Sequence, residues 1–223
     1  MKQITLLICL LFLVTSCDIQ YDGETKIVVT GNIIDENNAP LPNQDIEIAI
    51  HGSENFFVSN TDLICYGKSN NNGKFILIFP ATIDNHRISI SINDKVNKVN
   101  ALQSKAFLVT KNNFQNYKLD LDIITLYKNE SITTLKLLLN GTSPNKQIKD
   151  IKIEGKQPNM YIDLLEYPTQ NNNPLNNTSY YVIKNQTIFL KYTIIDYSNN
   201  GATTVQSISI PIANDAVNYT ITY

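Results

Sequence analysis

Polar and apolar residues alternate one for one along much of this chain. Ile46, Ile48 and Ile50 fall on one side of a segment, with Asp45, Glu47, Ala49 and His51 on the other. Residues 87–93 repeat the pattern with Ile88, Ile90 and Ile92 inward, and Leu119, Leu121 and Ile123 do so again with Asp120 and Asp122 outward. A period of two with one wet face predicts antiparallel sheet. Strand signals begin at Lys26, where Ile27, Val29, Gly31 and Ile33 alternate, and Phe75, Leu77 and Phe79 follow a turn at 69–73. Past a polar stretch at 127–131, strands are expected at 132–139, 148–153, 179–183, 187–195, 203–212 and 217–223. A Pro/Asn loop at 168–177 and a turn at 197–201 separate them, the latter ending in an Asn-Gly pair that favours the primed hairpin turns.

Composition reinforces this reading. The chain has 31 Ile against 8 Ala, so β-branched residues far outnumber the best helix former. Its 30 Asn belong in turns, where they tolerate left-handed backbone. A hydrophobic fraction of 43% supports a packed core. Lys and Arg total 18 against 20 Asp and Glu, so no basic excess points to nucleic acid.

The N-terminus reads as an address. Lys2 precedes an apolar run from Ile4 to Val14, interrupted only by Thr5. As a helix this run spans about 16 Å, too short for a hydrocarbon core of roughly 30 Å, and it suits a secretory signal. The sequence Val14-Thr15-Ser16-Cys17 resembles the lipobox of bacterial lipoproteins. The resemblance implies cleavage before Cys17 and lipid on its thiol, hence a protein held in the bacterial envelope by acyl chains. The outer membrane is favoured, with the chain facing the periplasm or the cell surface. Residues 18–25 are polar and without periodicity, and are expected to be a tether. Cys65 is then the one remaining thiol outside the signal, expected buried in Leu63-Ile64-Cys65-Tyr66.

The first folded segment shows a run of spaced features: Thr30-Gly31-Asn32-Ile33-Ile34-Asp35, then Ala39-Pro40-Leu41, the strand 46–50, Ser69 with Gly73-Lys74-Phe75, and the strand 87–92. It resembles the carboxypeptidase regulatory-like domain, a transthyretin-like β-sandwich. Asn93-Asp94-Lys95 stands where that family carries a glycine–aromatic pair. The resemblance implies a folding and interaction module, not peptidase activity. The fold class expected is all-β, as two consecutive β-sandwiches. A signal spans 1–16, the lipidated Cys17 and tether 17–25, the first sandwich 26–128, and a second of unrecognised family 129–223. Six short strands suggest an immunoglobulin-like second sandwich, although the Cys…Trp…Cys hallmark is absent.

Candidate chemistry is sparse. His51 and His86 are expected to be solvated, and no zinc-type spacing or nucleophile elbow exists. Asp120 and Asp122 share one side of a strand and read more simply as a wet face than as calcium ligands. Phe56 and Phe57, and Tyr180 and Tyr181, are the candidate contact residues; alternatively one of the two Phe rings tucks into the core, and the tyrosines are good strand residues with a polar tip at the sandwich rim. No catalytic residue, metal or cofactor is expected. The function implied is a non-catalytic envelope lipoprotein that meets another envelope protein or a glycan. The alternatives are an adhesion or surface-assembly subunit and a hydrolase with an unrecognised site.

Overall fold

The computed structural model describes residues 19–55, 58–94, 101–165 and 178–223. Cys17, Phe56, Phe57 and the 168–177 loop lie outside the described residues. The described chain is nearly all β. Its strands are β1 (Tyr21–Asp35), β2 (Asp45–Asn55), β3 (Val58–Lys68), β4 (Lys74–Thr82), β5 (Arg87–Ile92), β6 (Lys105–Val109) and β7 (Lys118–Leu126). Then come β8 (Ile132–Asn140), β9 (Lys146–Glu154), β10 (Tyr161–Asp163), β11 (Thr178–Ile183), β12 (Gln186–Asp196), β13 (Ala202–Ile212) and β14 (Val217–Thr222). Contacts divide them into two units. Of the described residues, the first unit takes those up to 94, with 104–125 and 161–165; the second takes the rest.

The first unit has a three-stranded sheet in the order β4-β1-β7 and a five-stranded sheet in the order β10-β6-β5-β2-β3. Alternation sends Ile46, Ile48 and Ile50 of β2 and Ile88, Ile90 and Ile92 of β5 inward, all fully buried. Burying one such side chain contributes about 1.5–3 kcal/mol. From the other sheet Ile27, Val29, Phe75, Leu77 and Phe79 are buried. Gly73 sits at φ +75°, and a Cβ there would collide with the Ile33 carbonyl oxygen, which explains glycine at the turn into β4. The second unit is also a sandwich, of sheets β11-β8-β14 and β13-β12-β9. Leu135, Leu137, Val182 and Ile221 from one sheet meet Ile148, Ile188, Leu190, Ile210 and Ile212 from the other in a single core.

Several expectations are corrected. Residues 19–25 are not a tether. Ile19 is buried, Tyr21 pairs with Thr82 in β4, and the Tyr21 hydroxyl donates to Asp62 Oδ2 at 2.6 Å. A register shift between Tyr21 and Lys26, with Gly23 at φ +76°, re-phases the alternation there, so the pattern shows no period. In β7, Asp122 at φ +52° acts as a bulge, so Ile123 turns outward and Ile124 takes the buried position expected of it. Asp45 is buried, not wet: its register partner Lys68 lies 3.2 Å away and the Tyr66 hydroxyl donates to it. Cys65 is half-buried, with Sγ 3.7 Å from the Ile78 carbonyl oxygen. His51 is half-buried and bonded on both ring nitrogens, to Thr61 Oγ1 at 3.2 Å and Ser89 Oγ at 2.8 Å. His86 is also half-buried.

Candidate functional site

The outward face of the β4-β1-β7 sheet departs from the usual wet finish. Ile76, Ile78 and Ile123 are 67%, 55% and 66% exposed. The register explains the arrangement: Thr30 pairs with Ile76 and Val28 with Ile78, so two isoleucines stand two residues apart on one side of β4. The bulge at Asp122 brings the third outward on β7. Between them, the central strand β1 carries the short side chains Thr30 and Asn32. Short residues on the middle strand and long ones on its neighbours leave an open cleft of about 680 Å³, walled by Lys74 and Ile76 on one side and Lys118, Asp120, Asp122 and Ile123 on the other.

The floor of this cleft holds two buried oxygen atoms, Thr30 Oγ1 and Asn32 Oδ1, that find no hydrogen-bond partner among the described residues. Buried polar atoms are paired in the great majority of cases, and each exception asks for a cause. The rim is of mixed charge. Lys118 Nζ lies 3.9 Å from Asp120 Oδ2, an exposed pair of small energetic weight. The Asp122 N–H donates to Asp120 Oδ1 at 3.2 Å, so this carboxylate serves its own bulge. Among the described residues no group of three or more His, Cys, Asp and Glu is placed to hold a metal. The arrangement sets two aliphatic side chains, Ile76 and Ile123, among charged ones of both signs, above a floor of Thr30, Gly31 and Asn32.

The sequence-derived candidates fare differently. Tyr181 stands outward from β11, 59% exposed. Tyr180 does not join it: it packs against the core of the second unit, because neighbours on a strand point to opposite faces. The cleft residues were not singled out as a site. Its signal was present only as Ile76 and Ile78 standing at the polar positions of the Phe75–Leu77–Phe79 alternation.

Two groups elsewhere are tuned by burial. It lowers the pKa of the Lys105 ammonium on β6 and raises that of the Tyr192 hydroxyl. On the outward face of the β13-β12-β9 sheet, Glu154 is held below the ordinary glutamate value chiefly by its bond from Lys191 at 3.0 Å, with Lys152 adding to it.

No protein-family model matches this chain, and no curated protein does. Among solved structures, it is similar to the shaft pilin spaA from Lactobacillus rhamnosus GG at 8% identity and TM-score 0.34, over 89% of this chain and 98% of that one. It is similar to 3-chlorocatechol 1,2-dioxygenase from Rhodococcus opacus 1CP at 14% identity and TM-score 0.33, over 50% of this chain and 63% of that one. The Bacillus anthracis TIE protein matches at 12% identity and TM-score 0.32, over 89% of this chain and only 34% of its own. The chain thus spans less than two thirds of the dioxygenase and about a third of the TIE chain.

Proposed function

We propose that this chain is an envelope lipoprotein, anchored through lipid on Cys17, whose folded units bind a partner and do not catalyse. The lipobox-like Val14–Cys17 sequence supports the anchor, and no described helix is long and apolar enough to cross a membrane. The observation that carries the binding reading is the outward face of β4-β1-β7, with three exposed isoleucines around two unpaired buried oxygens. An apolar patch rimmed by polar groups is the kind of surface that interaction sites present. Its exposed apolar side chains, Ile76 and Ile123, are branched aliphatics, and the one ring among its lining residues, Phe75, is buried. Sugar faces stack best on aromatic side chains, so the cleft suits the apolar side chains of a polypeptide better, and an envelope protein is the partner favoured over a glycan.

The experiment is capture from detergent-solubilised envelopes and, in parallel, from purified envelope glycan. Wild type is compared with Ile76→Asp and Ile123→Asp. The expected result is a protein retained by wild type and lost by both variants, with no glycan retained. Retention of glycan, or retention of the same protein by both variants, overturns the reading. Fractionation of Cys17→Ala tests the anchor: release from membranes or an unprocessed precursor is expected, and normal processing with full membrane retention rejects it.

A further inference from the structure

The two edges of the β13-β12-β9 sheet are built in opposite ways. β9, one edge, carries Lys146, Lys149, Asp150, Lys152 and Glu154 in nine residues. Charges on an edge strand discourage a further strand from pairing with it. β13, the other edge, has eleven residues, Ala202–Ile212, and no charged side chain among them. It is the longest uncharged edge strand among the described residues. It pairs with β12 over its whole length, and its other side makes no backbone hydrogen bond among the described residues. Its residues Ala202 to Ser207 are exposed on both faces, so nothing described covers this stretch.

We propose that the free edge of β13 pairs antiparallel with the same edge of a second copy of this chain, joining two three-stranded sheets into one of six. A strand laid against its own copy meets its own side chains, so any net charge on it is doubled at the contact. β13 has none. Pro211 sets the register. It lacks an N–H and so fits an edge position whose donor side faces away from the ladder, which stops further pairing at that end. The stretch left is Ala202–Ile210, and its symmetric antiparallel register centres on Gln206. On the outward face, Thr203 of each copy then lies opposite Ser209 of the other, and Val205 opposite Ser207. On the inward face Thr204 lies opposite Ile208. Hydroxyl pairs and β-branched neighbours of this kind support cross-strand pairing, and a two-fold contact of one patch with itself closes on a dimer.

The test uses the full chain in native membranes, in a Cys65→Ser background. Gln206→Cys places two thiols directly opposite at the two-fold, where Cβ atoms of paired residues lie about 4.5–5.5 Å apart, close to what a disulfide spans. Mild oxidation is expected to give a reducible dimer well above the Cys65→Ser background, whereas Lys152→Cys on β9 gives none. A Gln206→Cys signal at background, or an equal one from Lys152→Cys, overturns the proposal. Charge pairing is the second arm, read by sedimentation of the detergent-purified chain. Gln206→Lys and Gln206→Glu are each expected to weaken the dimer at least tenfold, and mixing them to restore it. Gln206 is exposed, so both variants keep the wild-type circular dichroism. A monomeric wild type, unchanged association in the Lys variant, or no recovery on mixing overturns the proposal.

Discussion

The two sheets β4-β1-β7 and β13-β12-β9 have the same number of strands and the same alternation, yet they meet the outside differently. On the second, register places Phe189 beside Glu154 and Lys191 beside Lys152, and Glu154 accepts ion pairs from Lys191 at 3.0 Å and Lys152 at 3.4 Å. That face carries a charged cluster at β9 and β12, beside the exposed Phe189 and Val205. On the first, the equivalent outward positions hold Ile76, Ile78 and Ile123 over Thr30 and Asn32. Buried inward positions in both units follow one rule, burial of apolar side chains. The outward positions obey none that packing imposes, so what stands there is not set by the fold.

The largest effect that sharpens this contrast lies at an inward position. Ile90→Ala, in the fully buried row of β5, is expected to cost about 3 kcal/mol, within the range for Ile-to-Ala in cores, read from urea unfolding. Gly73→Ala comes next: its φ of +75° and the Ile33 carbonyl oxygen leave no room, and a loss of about 2 kcal/mol is expected. Ile76→Thr keeps the branched strand residue and removes only outward apolar surface. It is expected to stay within about 0.5 kcal/mol of wild type; a core-sized loss would erase the distinction between the two faces.

The smallest effect concerns the charged cluster on the second sheet. The folded form of Glu154 has a lowered pKa, so its contribution to stability is present above the ordinary glutamate value of 4.5 and lost as pH falls through the folded value. Glu154→Gln should therefore unfold at slightly lower urea than wild type at about pH 6 and at the same urea at about pH 2, where both side chains are neutral. A gap that widens toward acid would contradict the ion-pair account.

Much of the strand plan was legible. All six strands expected after residue 131 are found, within a residue at their ends for most and two at the N-terminal end of β9 (146–154 against 148–153), because alternating Ile, Leu and Thr between Asn-rich turns leaves little ambiguity. What escaped is instructive. β3, β6 and β10 were not foreseen: β3 pairs with β2 through two register shifts that blur its alternation, and Lys105–Val109 and Tyr161–Asp163 are short and find their place only through neighbours. The bulges at 22–23 and 122 each add an out-of-phase residue, which hid β1's first turn and reversed Ile123 and Ile124. Asp45 read as wet because its partners, Tyr66 and Lys68, lie across a strand pair that spacing alone does not align. The cleft was illegible for a related reason: Thr30 and Asn32 are unremarkable in a strand until the sheet puts isoleucines on both sides of them.

β10 has a consequence for how the chain is made. Its three residues lie parallel to β6, with Asp163 opposite Leu108, and β8 and β9 of the other unit intervene in sequence. The five-stranded sheet therefore stays one strand short until residue 163 is available to it, and β8 and β9 precede that residue in the chain. Trimming the chain at residue 128 therefore yields a first unit with β6 as a new bare edge instead of a tidy domain.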